Sequence, residues 1–165
     1  MKTLLILRHA KSSWKNKALS DHDRPLNPRG QRDAPKVGIR LRSEDLIPDA
    51  ILSSTAKRAR QTAEAVAEES GCAGELQLSR ELYGGGPEAY LEAIRSLPSL
   101  VDCALVIGHN PDLEELLEIL SGESVRLPTA ALAHLQLDIQ EWQDLNEEEQ
   151  GKLVNLWTPR ENPFL

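Results

Sequence analysis

Only two cysteines, Cys72 and Cys103, occur in the 165-residue chain, too few for a disulfide framework. Cys103 also heads an apolar, strand-like run, CALVIG, so both thiols read as those of a reducing compartment. No apolar run approaches the roughly 20 residues that cross a bilayer, and no membrane association is expected. Basic residues are not in excess either. Lys and Arg number 19 against 26 Asp and Glu, a net charge of −7, which argues against general nucleic-acid binding. A small anion site built from a few local arginines stays open. The first strand begins at once, with no small-residue cleavage site behind it, so no signal peptide is expected and the expected location is cytoplasmic. Internal repeats, linkers and low-complexity tracts are also missing.

Hydrophobic residues make up 40% of the chain and charged residues 27%, the balance of a soluble globular protein. The length is that of one domain, enough to bury a core. KTLLIL (2–7) reads as a short buried strand, followed by a long stretch, Ala10 to Pro28, without helical or strand periodicity. Such connections are more often functional than idle. Residues 29–44 read as a helix that Pro35 should start, kink or delay. DAILSS (49–54) is a second strand, and AKRARQTAEAVAEES (56–70) a helix with Ala59, Ala63, Val66 and Ala67 on its inner face. ELQLS (75–79) is a candidate third strand, and the Gly84-Gly85-Gly86 loop leads to a helix with Pro87 in its first turn. CALVIGH (103–109) is a continuous apolar strand, as in a sheet covered on both faces. Asn110-Pro111-Asp112 then supplies an N-cap, a first-turn proline and an acidic residue for the next helix. ALAHLQLD (131–138) alternates and reads as a half-exposed strand with His134 on its outer face; KLVNLWT (152–158) is the last strand. Strands alternating with helices predict an α/β fold, a three-layer sandwich around a mostly parallel sheet.

Polar residues follow an apolar strand at three places: LLIL-Arg8-His9, AIL-Ser53-Ser54-Thr55 running into Arg58, and LVIG-His109-Asn110. Ligands of open α/β sheets sit beyond the carboxyl ends of the strands. Parallel neighbours would therefore bring two histidines and two arginines together. Arg58 would stand in the first turn of its helix, where free N–H groups favour an anion. Arg60 falls about 200° around that helix and faces elsewhere. Two guanidinium forks and two imidazoles suit a phosphoryl group.

The ordered segments LRHAKSSW, SDHDRPLNPRG, SSTAKRARQT and VIGHNPDL resemble the histidine phosphatase (phosphoglycerate mutase-like) superfamily, and within it the SixA-type phosphohistidine phosphatases. The resemblance runs from Leu4 to about Leu137. Ala10 stands where the superfamily more often has Gly. The resemblance implies one histidine phosphatase domain over residues 1–165, with a phosphoglycerate mutase-like fold. It implies that His9 is the nucleophile, transiently phosphorylated, that Arg8 and Arg58 bind phosphoryl oxygens, and that His109 is the second site histidine. Arg24, in the RPL of Arg24-Pro25-Leu26, and Asn110 are its further phosphate or substrate contacts.

The chemistry agrees with that expectation. Imidazole is near neutral at physiological pH and can attack phosphorus without first losing a proton, provided its other nitrogen is held as a donor. Arginines and His109 would supply positioning and charge stabilisation. No cofactor and no metal is called for; Asp21-His22-Asp23 reads as solvated loop charge rather than a metal site. The general acid is the weak point. Larger superfamily members take a Glu from an insertion that is short here, which leaves Glu81 as the one possible acid, with a surface carboxylate as its bland reading. A phosphoimidazole can leave as neutral imidazole unaided, whereas an alkoxide needs a proton. The expected activity is therefore removal of phosphate from phosphohistidine in a signalling or phosphorelay protein. The alternatives are a phosphatase or mutase on a small phosphomonoester, and a non-catalytic phosphoprotein-binding module.

Overall fold

Leu4, Leu5, Ile6 and Leu7 expose none of their surface, because β1 (Lys2–Arg8) runs through the middle of a six-stranded sheet that is covered on both faces. The computed structural model describes residues 1–160. The end of the expected 1–165 domain, residues 161–165, lies outside the described residues. The remaining strands are β2 (Ala50–Ser54), β3 (Leu76–Ser79), β4 (Cys103–Gly108), β5 (Leu132–Leu137) and β6 (Gly151–Trp157). Their order is β3-β2-β4-β1-β5-β6. The first four are mutually parallel, and β5 and β6 add antiparallel pairings at one side.

Helices α1 (Pro28–Ser43) and α2 (Lys57–Ser70) cover one face, burying Val37, Leu41, Ala59, Ala63 and Val66 against Leu5, Leu7, Ile51 and Leu105. Helices α3 (Gly86–Arg95) and α4 (Asp112–Ser121) cover the other, with Leu91, Ile94, Leu113, Leu116 and Leu120 against Leu4, Ile6, Leu52 and Val106. The result is the expected three-layer α/β sandwich. The chain leaves β1 toward α1 on one face and leaves the adjacent β4 toward α4 on the opposite face. Such a divergence opens a crevice at the carboxyl ends of the two strands. α1 and α2 cross closely because Gly38 has no side chain: a Cβ there would lie 2.8 Å from both the Glu69 Cβ and the Val66 carbonyl oxygen.

Four local expectations are corrected. α1 is neither started nor delayed by Pro35. It begins at Pro28, where Asn27 caps it by accepting from the Gly30 amide at 2.8 Å, and it continues through Pro35. α4 is not capped by the Asn110 side chain; Pro111 holds the capping position, after a cis peptide bond, and no side chain caps it. The Asn110 amide donates instead to the Leu127 carbonyl at 2.8 Å. β5 is not half exposed, because β1 and β6 flank it and helices cover it; only Gln136 along it is more than slightly exposed. His134 is accordingly buried, its ring stacked on Trp157 at 6.5 Å and its Nδ1 3.1 Å from the Asn155 amide.

Candidate active site

Strand register does the first part of the assembly. Arg8 pairs with Gly108 across β1 and β4, and Ser53 pairs with Ile107 across β2 and β4. His9, His109 and Ser54 therefore emerge side by side at three adjacent carboxyl ends. The His9 amide donates to the Gly108 carbonyl at 3.1 Å, and the two imidazole centroids lie 5.1 Å apart. A Cβ at Gly108 would run into the Tyr90 hydroxyl. That hydroxyl donates to the Leu82 carbonyl at 2.9 Å and accepts from the His109 amide at 3.2 Å, so the missing side chain lets α3 brace the histidine turn.

His9 is buried, and its Nδ1 lies 2.8 Å from the Ala10 carbonyl oxygen. A carbonyl can only accept, so Nδ1 carries the proton and Nε2 keeps its lone pair. The Arg58 Nε–H points at that nitrogen from 3.4 Å. Burial, with smaller contributions from His109, Arg58 and Arg8, pushes the His9 pKa down to about 3, despite the opposing bond to Ala10. Burial likewise lowers His109 to about 4, and its Nε2 lies 2.8 Å from the Ser54 hydroxyl. Both imidazoles are neutral at physiological pH.

Arg58 is set by α2 and by the long loop that follows β1. Its carbonyl accepts from the Thr62 hydroxyl at 2.7 Å, and that same hydroxyl accepts from the Ala10 amide at 3.1 Å, tying helix to loop beneath the histidine. Its guanidinium donates to the Asp21 carbonyl at 2.7 Å and to the Asp21 carboxylate at 2.9 Å. Arg60 turns outward, 3.7 Å from Glu64, as the helical period predicts. Arg8, which precedes His9 at the end of β1, donates to the Leu127 carbonyl at 3.1 Å, while its Nε is buried with no hydrogen-bond partner among the described residues. Burial lowers the Arg8 pKa and nearby Glu114 raises it back; Arg58 adds a smaller repulsion, which means the two guanidinium groups share one field.

Asp21 is the organiser that sequence reasoning missed. One carboxylate oxygen lies 3.0 Å from Arg24 Nη2; the other accepts from Arg58 and, at 2.6 Å, from the Tyr83 hydroxyl. Those donors hold its pKa below the usual carboxylate range, the Tyr83 bond contributing most. A carboxylate committed to two guanidinium groups is poorly placed to hold a cation, and His22 spends its Nε2 on the Thr55 hydroxyl at 2.8 Å. Tyr83 packs edge-on to both His22 and His109, with centroids 5.0 and 5.4 Å away. Arg24 is brought to the cluster, buried between Asp21 and the Ser12 hydroxyl, 2.7 Å from the latter, with its guanidinium 3.5 Å from the Trp14 ring.

Two candidates stand differently. Asn110 adjoins Arg8 through their common acceptor, the Leu127 carbonyl, and this leaves its Oδ1 buried and unpartnered among the described residues. The Glu81 carboxylate is exposed and accepts from the Ser79 hydroxyl at 2.8 Å; that bond lowers its pKa, the wrong direction for a proton donor near neutrality.

The neutral histidines make stability pH-dependent with a defined sign. The unfolded chain takes up a proton on each imidazole near pH 6.5, whereas the folded His9 and His109 do so only near 3 and 4. Stability is thus complete above pH 6.5 and falls as the pH drops toward 4. At pH 5 the loss is about 2 kcal/mol for each group, at about 1.4 kcal/mol per pH unit. Denaturant unfolding at pH 7.5 and 5.0 should show this decline in wild type and a much shallower one in His9→Gln/His109→Gln. Buried His134, lowered in the same sense, accounts for part of the remainder. An identical decline in both proteins would contradict the assignment of neutral rings.

Residues 4–83 match the sequence model of the histidine phosphatase superfamily (branch 1). Over 165 aligned residues the chain is 34% identical to an uncharacterized protein of Mycobacterium tuberculosis, with 93% of this chain and 100% of that one covered. A solved structure assigned as phosphohistidine phosphatase SixA of Nakamurella multipartitia superposes with a TM-score of 0.85 at 29% identity, covering 96% of each chain. Another, assigned as SixA of Agrobacterium tumefaciens, superposes at 0.82 with 30% identity, covering 96% of this chain and 98% of that one.

Proposed function

The chain belongs to the histidine phosphatase superfamily, and from that membership we propose that it is a metal-independent phosphatase that works through a phosphohistidine on His9 and acts on phosphohistidine of a signalling or phosphorelay protein. One observation carries the reading. The His9 Nδ1 is fixed to the Ala10 carbonyl, so an unprotonated Nε2 faces the Arg58 guanidinium. That nitrogen attacks phosphorus, and the phosphorus–nitrogen bond of the substrate breaks with its electron pair leaving on the substrate imidazole. Arg8 and Arg58 hold the non-bridging oxygens, and His109 contacts the group in transfer. Water then attacks the phosphoenzyme, releasing inorganic phosphate and neutral His9. The two SixA-assigned structures, similar over nearly their whole length, support the choice of substrate class.

The test is a comparison of kcat/KM on a phosphohistidine protein, a phosphoserine peptide and phosphoglycerate, in excess chelator, with wild type, Arg58→Ala and Arg60→Ala. The phosphohistidine protein should be the best substrate. Arg58→Ala should lose about 2–4 kcal/mol of transition-state stabilisation, the usual loss of one such donor. Arg60→Ala should change little. Preference for phosphoglycerate would transfer the site to a small phosphomonoester. Equal losses at both arginines would contradict the assigned helix face, and inactivation by chelator would return Asp21-His22-Asp23 to consideration as a metal site.

A further inference from the structure

Residues 14–20, Trp14 to Ser20, form an exposed run that adjoins Arg24 through Trp14. Trp14 is 67% exposed and Leu19 37%. Residues 11–19 hold Lys11, Lys15 and Lys17 with no carboxylate, in a chain whose net charge is −7. A cavity of about 370 Å³ runs from Trp14, Asn16, Lys17 and Leu19 to Asp21 and Arg24, so the patch reaches the carboxylate that holds Arg58 at the edge of the candidate phosphate site. Asp21 adds little negative charge to it, since Arg24 and Arg58 balance its carboxylate. Asp23, beyond it, is the one carboxylate near this end of the patch that no arginine balances among the described residues, and it does not line the cavity. Trp14 is also preset: its ring lies on the Arg24 guanidinium at 3.5 Å, so little rotamer freedom remains to be lost on contact. The other two tryptophans, Trp142 and Trp157, are buried.

An exposed, preordered indole is the kind of group that anchors protein interfaces, and a local positive field on a negative protein selects and steers an acidic partner. Resting on the proposed phosphohistidine activity, we infer that this loop docks an acidic segment flanking the phosphorylated histidine of the protein substrate. Carboxylates of the segment meet Lys15 and Lys17, and one apolar side chain packs against Trp14 and Leu19.

Two synthetic peptides, each with one phosphohistidine, test this. One has glutamates and a leucine beside the histidine; in the other the glutamates are lysines. Wild type should hydrolyse the acidic peptide with a KM lower by about tenfold, the yield of two half-exposed charge pairs. Lys15→Glu/Lys17→Glu, which leaves every histidine and arginine in place, should reverse that preference and change hydrolysis of phosphoramidate itself far less. Equal KM values in wild type, or an equal change on phosphoramidate, would overturn the inference. The unphosphorylated acidic peptide should shift Trp14 emission in wild type and not in the charge-reversed protein. That binding result decides the docking surface even if neither peptide is hydrolysed, an outcome that would overturn the proposed activity alone. A shift of Trp14 emission on phosphatidylserine vesicles with none on the peptide would overturn the docking inference in favour of a membrane surface.

Discussion

His9→Ala should erase turnover and the acid-labile phosphate label together. If His9 is the covalent nucleophile, its loss removes the reaction path rather than weakening it. Losses for covalent nucleophiles are on the order of 10⁶ in kcat. The geometry makes the effect specific to this ring. His109 lies only 5.1 Å away, centroid to centroid, yet its Nε2 is engaged with the Ser54 hydroxyl. The Nε2 of His9 is the one that faces Arg58, with its proton fixed on the opposite nitrogen. His9→Gln, closer in volume and still neutral, should be as inactive while keeping the fold. The measurement is incubation with a radiolabelled phosphodonor, followed by acid and base treatment and mapping of the labelled peptide. Label on any other residue of the His9→Ala protein would remove His9 from the nucleophile's role.

Strand ends were the most legible part of the sequence. Short apolar runs that stop abruptly on Arg8-His9, Ser53-Ser54 and His109-Asn110 announce both a parallel sheet and the rim where its ligand sits, because the burial of each strand and the exposure of its end follow from one topology. Asp21 was not legible in the same way. It lies in a loop without periodicity; Arg24 is its neighbour three residues on, but Arg58 and Tyr83 come from two distant segments. No local spacing encodes such a meeting, so the carboxylate read as solvated charge. Thr62 could have been found, since it stands one helical turn after Arg58 on the same face. The strand β5 misleads because alternation of polar and apolar residues predicts contact with water, whereas Trp157 and Asn155 from β6 cover His134. Asn110 misled because a residue type that caps helices also satisfies a distant carbonyl, here that of Leu127.

The leaving group should dominate the rate of phosphoenzyme formation. In the described residues the cluster offers neutral imidazoles, guanidinium groups and a Tyr83 phenol whose pKa is raised by its bond to Asp21. Asp21 itself is held ionised by its donors, and Glu81 faces water with a lowered pKa. None of these is a carboxylic acid ready to give a proton near neutrality. A donor that departs without protonation, such as a phosphoimidazole protonated on its other nitrogen or an aryl phosphate of low leaving-group pKa, should react readily. Alkyl phosphates should lag by about 10²–10⁴-fold, the usual contribution of a positioned acid. Glu81→Gln should leave phosphohistidine hydrolysis and the slope of rate against leaving-group pKa almost unchanged. The experiment is a series of aryl and alkyl phosphates, with phosphoimidazole, measured by single-turnover burst on wild type and Glu81→Gln. A shallow slope in wild type that steepens in the variant would make Glu81 the acid. It would also bring a small phosphomonoester forward as the substrate, because an enzyme that protonates alkoxides has no need of a leaving group that departs on its own.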